Sequence, residues 1–177
     1  MRKLIIPAIL ALLTLPLWSS PSQAGATSDA DLFAAYDQVN TADIEVARLG
    51  AIKGSTEALR TLAAMVLHDH TMVRQIARDM AGSLKIAYEV PTDNELAKSH
   101  AEVIARLSKL EGPAFDRAYL AHELPFHLAA VKAVREILIP QAKSPKLRAH
   151  LNSVLPHFEM HIDATRSTAE ALGIALD

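Results

Sequence analysis

A polar residue interrupts the apolar stripe of each of the four long helices that the sequence predicts. The stripes recur at steps of three, four and seven residues, the period of an amphipathic helix with one buried face. A buried polar group without a partner costs about 1–3 kcal/mol, so such groups must pair with one another, with water or with an ion. The interrupting residues are Asp43, His70, His127 and His161.

Helical periodicity accounts for nearly all of the chain after residue 25, and no strand-like alternation occurs. Short turns join the first long helix to the second and the third to the fourth, so each pair is expected to pack antiparallel. The predicted fold is all-α, a ferritin-like four-helix bundle with a long crossover that carries a short helix between helices 2 and 3. The predicted helices span 28–53, 55–88, 92–110, 113–139 and 144–172.

Helix-start signals support these boundaries. Ser28 with Asp31, and Thr92 with Glu95, have the spacing of a capping box. A serine can cap the second and fourth long helices, and a proline in the first turn favours the start of the third and fourth. These residues are Ser55, Ser144, Pro113 and Pro145.

The first 24 residues have the order of a secretory signal peptide. A basic start, "MRK", is followed by a short apolar run and by small residues that end at Ala24. The apolar run is too short, and too interrupted by proline, to predict a membrane-spanning helix. We therefore expect cleavage after Ala24, a domain over 25–177 and export to the periplasm.

Composition excludes several classes of site. The chain contains no cysteine, which excludes disulfides, thiolate metal ligands and cysteine nucleophiles. Its 18 basic and 20 acidic residues are interspersed, so no basic surface for nucleic acid or anionic lipid is predicted. The sequence names no protein partner and permits a homo-oligomer.

Axial register predicts which polar residues meet. With a turn centred near residue 142, His127 lies level with His157, and Glu123 lies level with His161. Each helix then presents its pair on one face, because residues four apart are neighbours on a helix. Three imidazoles and one carboxylate are suitable ligands for a divalent transition metal.

The first two helices offer a weaker extension of this site. Asp43 and His70 lie on their stripes, but the predicted register separates them by roughly 9 Å along the axis. Tyr36 is level with His70, and Asp69 is adjacent to His70, so both are expected to orient the ligand side chains. His68 falls on another face and is expected to be solvated.

The segment "HELPFH" can be interpreted in two ways. Pro125 and Pro156 each remove a helical hydrogen bond and are expected to loosen the helix beside the histidines. That space suits a metal ion. In the alternative, the histidines pair with carboxylates and only specify the core.

Four segments carry a family resemblance: "DIEVARLG" at 43–50, "LAAMVLHDHT" at 62–71, "FDRAYLAHELPFH" at 115–127 and "LRAHLNSVLPHFEMH" at 147–161. They resemble a family of exported bacterial proteins called domain of unknown function 4142, some of which are labelled outer membrane proteins. The resemblance implies a ferritin-like fold, an acidic residue on the first helix and a histidine on each later long helix. It matches Asp43, His70, His127 and His161, although glutamate is common at the first position. It implies no established activity.

The sequence favours a non-enzymatic role. Di-iron carboxylate proteins use Glu-x-x-His motifs, whereas Leu67 and Phe158 stand three residues before His70 and His161. The first hypothesis is therefore a periplasmic protein that binds a divalent metal for storage, buffering or stress protection. The second is a non-catalytic envelope interaction or structural module, and a metal enzyme is third.

Overall fold

The computed structural model describes residues 27–176, and all regular structure within this range is helical. The helices are α1 (Asp29–Lys53), α2 (Glu57–Ser83), α3 (Glu95–Ser108), α4 (Gly112–Ala133) and α5 (Pro145–Ala171). A π-helical turn, Val134–Leu138, and a last turn, Ile139–Gln141, extend α4. The predicted all-α class is confirmed, and the predicted signal peptide lies outside the described residues.

The four long helices pack in a ring around the core. The antiparallel pairs are α1 with α2 and α4 with α5, while α2 also contacts α5 and α1 contacts α4. The short helix α3 lies between α2 and α4 in the chain and packs against α1. At one end Gln38 bonds to Asn94, and at the other Lys53 Nζ donates to the Ser108 carbonyl at 2.7 Å. The connection therefore runs alongside α1, in the same direction.

Two of the predicted caps are confirmed. The Ser28 hydroxyl accepts from the Asp31 amide, and the Asp31 carboxylate accepts from the Ser28 amide, which completes the capping box. The Ser144 hydroxyl caps α5, with Pro145 in its first turn. Local sequence is sufficient here because every participating group lies within one turn.

The other two predicted caps are wrong by one or two residues. Thr56 caps α2, because Ser55 instead donates to Asp116 at the start of α4 through its amide and its hydroxyl. Asn94, rather than Thr92, caps α3 while it also bonds to Gln38. Contacts between distant segments decide both boundaries.

The core consists of two apolar clusters with a polar layer between them. One cluster includes Phe33 and Leu151, and the other includes Leu62 and Phe115. Asp43, His70, Glu123, His127 and His161 form the buried polar layer, each 0–1% exposed. Within the described range no helix combines the length and the apolarity that crossing a bilayer would need.

Asp37 joins α1 to α2 and to the chain beyond it. Its carboxylate accepts from Arg74 Nε at 2.6 Å, from Arg78 Nε at 2.6 Å and from the Tyr88 hydroxyl at 2.7 Å. Burial alone would raise the pKa of Asp37, but the two guanidinium groups and Tyr88 outweigh burial and lower it to about 2. Helix α2 ends at Ser83, five residues earlier than predicted, and this places Tyr88 in the connection, where it reaches Asp37.

We expect Asp37→Asn to destabilise the protein by on the order of 2 kcal/mol at neutral pH. Because the folded pKa lies below the unfolded value near 4, this stabilisation is present above pH 4 and is lost as pH falls towards 2. Chemical denaturation between pH 7 and pH 2 measures it. Asp163→Asn is the control, since Asp163 is 81% exposed, and an equal loss there would contradict the assignment.

Candidate metal centre

Three histidines from three helices bring their ring nitrogens together at the middle of the core. His70 Nε2 lies 3.3 Å from His127 Nε2 and 3.3 Å from His161 Nδ1. The third separation, from His161 Nδ1 to His127 Nε2, is 3.2 Å. The rings are 0–1% exposed. The three nitrogens therefore form a nearly equilateral, fully buried triangle, called here the histidine triad.

The opposite nitrogen of each triad ring faces an oxygen acceptor. His70 Nδ1 lies 3.0 Å from Asn40 Oδ1, whose amide is oriented by donation from Asn40 Nδ2 to the Tyr36 carbonyl. His161 Nε2 lies 2.9 Å from Asp69 Oδ2. His127 Nδ1 lies 3.1 Å from the Glu123 carbonyl. A carbonyl or carboxylate can only accept, so each outer nitrogen carries the proton.

This assignment leaves three lone pairs directed at one another. Such an arrangement is repulsive unless a cation or a proton lies among the nitrogens. Metal-bound histidines have the same pattern, with the outer N–H donated to an oxygen that fixes the ring. Tetrahedral zinc–nitrogen bonds of about 2.0–2.1 Å place neighbouring ligand atoms about 3.3 Å apart. The triad spacing therefore suits a tetrahedral divalent ion.

Asp43 supplies a carboxylate beside the triad. Its Oδ2 lies 3.0 Å from His70 Nε2 and 3.3 Å from His127 Nε2. Neither carboxylate oxygen has an aligned hydrogen-bond donor within the described part of the chain. Burial alone would raise the pKa of Asp43, but nearby imidazole charge outweighs burial and holds it below its usual range. Asp43 is therefore an anion that a cation at the triad would neutralise.

Glu123 and Tyr119 add unpaired oxygens on the other side of His127. Glu123 Oε2 lies 3.2 Å from His127 Nδ1, and a second possible ligand group combines Asp43, Glu123 and His127. Among the described residues, neither Glu123 oxygen nor the Tyr119 hydroxyl has a hydrogen-bond partner. Burial and the Asp43 charge raise the pKa of Glu123, which favours its neutral form. The contact with His127 opposes this shift, so the two groups are electrostatically linked.

The pKa values of His127 and His161 shift in opposite directions. Burial lowers the pKa of His127, but Asp43 and Glu123 outweigh burial and raise it to about 9. For His161 burial prevails over the Asp69 hydrogen bond and lowers the pKa to about 4. Of these two rings, His127 is therefore the one that carries positive charge at neutral pH, with Asp43 beside it as counterion.

The structure brings together five of the six predicted ligands. His70, His127 and His161 meet directly, Asp43 contacts two of them and Glu123 contacts His127. His157 does not join them, because it is exposed on the outer face of α5. The sequence predicted that His127 pairs with His157 and Glu123 with His161, but in the structure His127 contacts His161 directly.

Helix register explains the differences. The turn between α1 and α2 is centred on residue 55, so Asn40 is level with His70 and Asp43 is roughly 4.5 Å away along the axis, half the expected offset. The π-helical segment after α4 has more residues per turn than an α-helix, and this shifts which residues of α4 and α5 lie at the same level. Both helices continue through Pro125 and Pro156.

The supporting residues also differ from expectation. Asp69 orients His161 instead of its neighbour His70, and Tyr36 contributes a backbone carbonyl to Asn40. Asn40 was missed, although its place four residues after Tyr36 and three before Asp43 puts it on the same helix face. Phe158 stacks on His70, with ring centroids 4.8 Å apart. His68 is exposed, as expected.

We expect the stability of the metal-free protein to peak near pH 6.5. His127 has a folded pKa of about 9, so its contribution is lost as pH rises from 6.5 to 9. His161 has a folded pKa of about 4, so its contribution is lost as pH falls from 6.5 to 4. Thermal melts of chelator-treated protein from pH 4 to pH 9 measure the loss of stability on both sides of pH 6.5. A melting temperature that keeps rising up to pH 9 would contradict the His127 assignment.

The comparisons with known proteins agree with the resemblance found in the sequence. The family model described as domain of unknown function (DUF4142) matches residues 16–168. Searches of curated proteins and of solved structures each found no match. The family match spans α1, α2, α3, α4 and most of α5, and so includes every residue of the polar layer. The chain therefore belongs to the DUF4142 family.

Proposed function

We propose that this protein binds one divalent transition-metal ion at the histidine triad, with Asp43 as the charged ligand or counterion. The triad carries the proposal, because its three outer N–H groups are committed to oxygen acceptors and its three inner lone pairs converge at 3.2–3.3 Å. Imidazole and carboxylate ligands suit zinc, copper, nickel or iron better than calcium or magnesium.

Burial favours holding the ion over processing it. Asp43, His70, His127 and His161 are each 0–1% exposed, so a substrate has no direct approach from bulk solvent to an ion among them. A single enclosed ion suits buffering or protection against metal stress better than storage in bulk. The proposed role is therefore metal buffering.

The proposed setting is an exported ferritin-like four-helix bundle. The ring of four long helices and the α3-bearing crossover support the ferritin-like description. The signal-peptide pattern of residues 1–24 supports export to the periplasm, and the family resemblance leaves outer-membrane association open. Likeness of fold alone assigns no di-iron chemistry.

Replacement of a triad histidine should abolish tight metal binding. We expect His127→Gln and His161→Gln each to weaken zinc binding by at least about 100-fold, and the double variant to do little more, because ligands of one ion are not additive. Isothermal titration of chelator-treated protein with zinc measures this. At pH 7.5 binding should also release at least one proton, since His127 must lose its own.

Two exposed histidines serve as matched controls. His68→Gln changes the same helix as His70, and His157→Gln changes the same helix as His161, without touching the triad. Both should bind zinc like the parent. Failure of the parent to bind zinc, copper, nickel, manganese or iron at micromolar levels would favour the alternative, an interaction module whose buried His and acid groups only specify the core.

Asn40 provides a separate test of the tautomer argument. Asn40→Leu introduces an apolar side chain of similar size and so removes the acceptor for His70 Nδ1–H. We expect zinc affinity to fall about 10–100-fold, as is typical when the group behind a ligand histidine is lost. Unchanged affinity in a correctly folded variant would show that Asn40 does not fix the His70 tautomer.

A further inference from the structure

A cavity of about 490 Å³ lies beside the polar layer, between α1, the connection at 89–96 and the end of α4. It is distinct from the triad centre, because His70 is the one triad residue on its wall and His127 and His161 do not line it. Its volume lies within the range of about 300–1,000 Å³ that is usual for small-molecule sites.

Small side chains create this space. Ala34 and Ala35 of α1 and Ala130 and Ala133 of α4 all line the cavity, where larger side chains would take up its volume. The π-helical turn contributes Val134 and Leu138 to the same wall. Protein interiors are close-packed, and an apolar space holds water poorly, so an organic molecule is the favoured occupant.

The polar lining side chains are mostly paired with each other. Gln38 and Asn94 exchange two amide hydrogen bonds, at 2.8 and 3.0 Å, which fasten the connection over α1. Asn40 is committed to His70 and to the Tyr36 carbonyl. Tyr36 is 3% exposed, and its hydroxyl has no partner among the described residues. Because that hydroxyl has almost no accessible surface, it is not open to the cavity, and the wall that a ligand would meet is largely apolar.

The charged residues of the lining are all acidic. Asp31, Glu89 and Glu95 contribute to it, and no lysine or arginine is found among the described lining residues. All three are exposed, and Glu95 pairs with Lys98, which is outside the lining. An anionic ligand would still pass Asp31 and Glu89 and find no cation among the described lining residues, which disfavours carboxylates and phosphates. Charge thus selects against fatty acids even though the wall suits an alkyl chain.

We infer that this cavity binds an uncharged, largely apolar small molecule. The aliphatic and alanine surfaces of α1 and α4 hold the apolar body. Phe158 lines the cavity and stacks on His70, so the ligand lies next to the triad without occupying it. The site needs no metal.

Binding of the neutral fluorescent probe N-phenyl-1-naphthylamine tests the inference. The purified protein should bind it saturably, with and without chelator treatment, because the triad is not required. Ala133→Leu and Ala35→Leu fill the cavity from α4 and from α1, and each should weaken binding at least tenfold. Ala129→Leu is the control, since Ala129 is exposed on the same helix as Ala133 and is outside the lining.

A matched pair of competitors tests the charge argument on the unaltered protein. 1-Dodecanol and dodecanoate have the same chain length, and dodecanol should displace the probe at a concentration at least tenfold lower. Circular dichroism verifies that each variant is folded. Absence of saturable probe binding, equal binding by the parent and both folded cavity variants, or equal displacement by the two competitors would each overturn the inference.

Discussion

A single buried carboxylate sets the requirements for the middle of this molecule. Asp43 is fully enclosed and its charge is retained, so the chain must provide compensating groups around it. Helices α2 and α4 each bring an imidazole within 3.3 Å of it, and α5 completes the group through His161. Any shift of one helix along another would leave this charge unpaired. We interpret the polar layer as the element that fixes the register of all four long helices.

Asp37 shows the contrasting way to bury an acid on the same helix. It receives two guanidinium groups and a phenol, so its charge is balanced by permanent cations of the chain itself. Asp43 has only imidazoles, whose charge depends on protons, and its oxygens lack aligned donors. The first arrangement is electrostatically complete. The second can accept an external cation in exchange for protons, which is why the binding proposal rests on Asp43 and not on Asp37.

Sequence periodicity was sufficient for the helices and for the identity of most polar-layer residues. Asp43, His70, His127 and His161 could be predicted because each interrupts an apolar stripe. Their pairing could not, because one turn was assumed to be centred too early and the π-helical turn has no evident signal in "VREIL". The predicted level of His127 with His157 also placed His157 in the site, although its side chain is exposed. Asn40 shares the face of Asp43, but an amide on a stripe gives no indication of which ring it will orient.

The apolar cavity was also beyond the sequence, because it depends on alanines from two helices that are distant in the chain. Single alanines on amphipathic helices are common, and only the packing of α1 against α4 shows that these four line one cavity. Likewise, Ser55 and Asn94 donate hydrogen bonds to Asp116 and Gln38, which lie far away in sequence, and the caps of α2 and α3 differ from the predicted ones. Local patterns determined the elements, and non-local contacts determined where they end.

Complete enclosure of the polar layer has a kinetic consequence. Asp69, with 24% of its side chain exposed, is the most accessible group in direct contact with the triad, whereas the triad rings are essentially inaccessible. For an ion bound among those rings, entry and departure require the helices around the triad to separate locally, so exchange would follow the rate of that opening. Residence time and affinity then become separate properties. Changes in the packing between α2 and α5 could alter how quickly an ion is released without altering any atom that binds it.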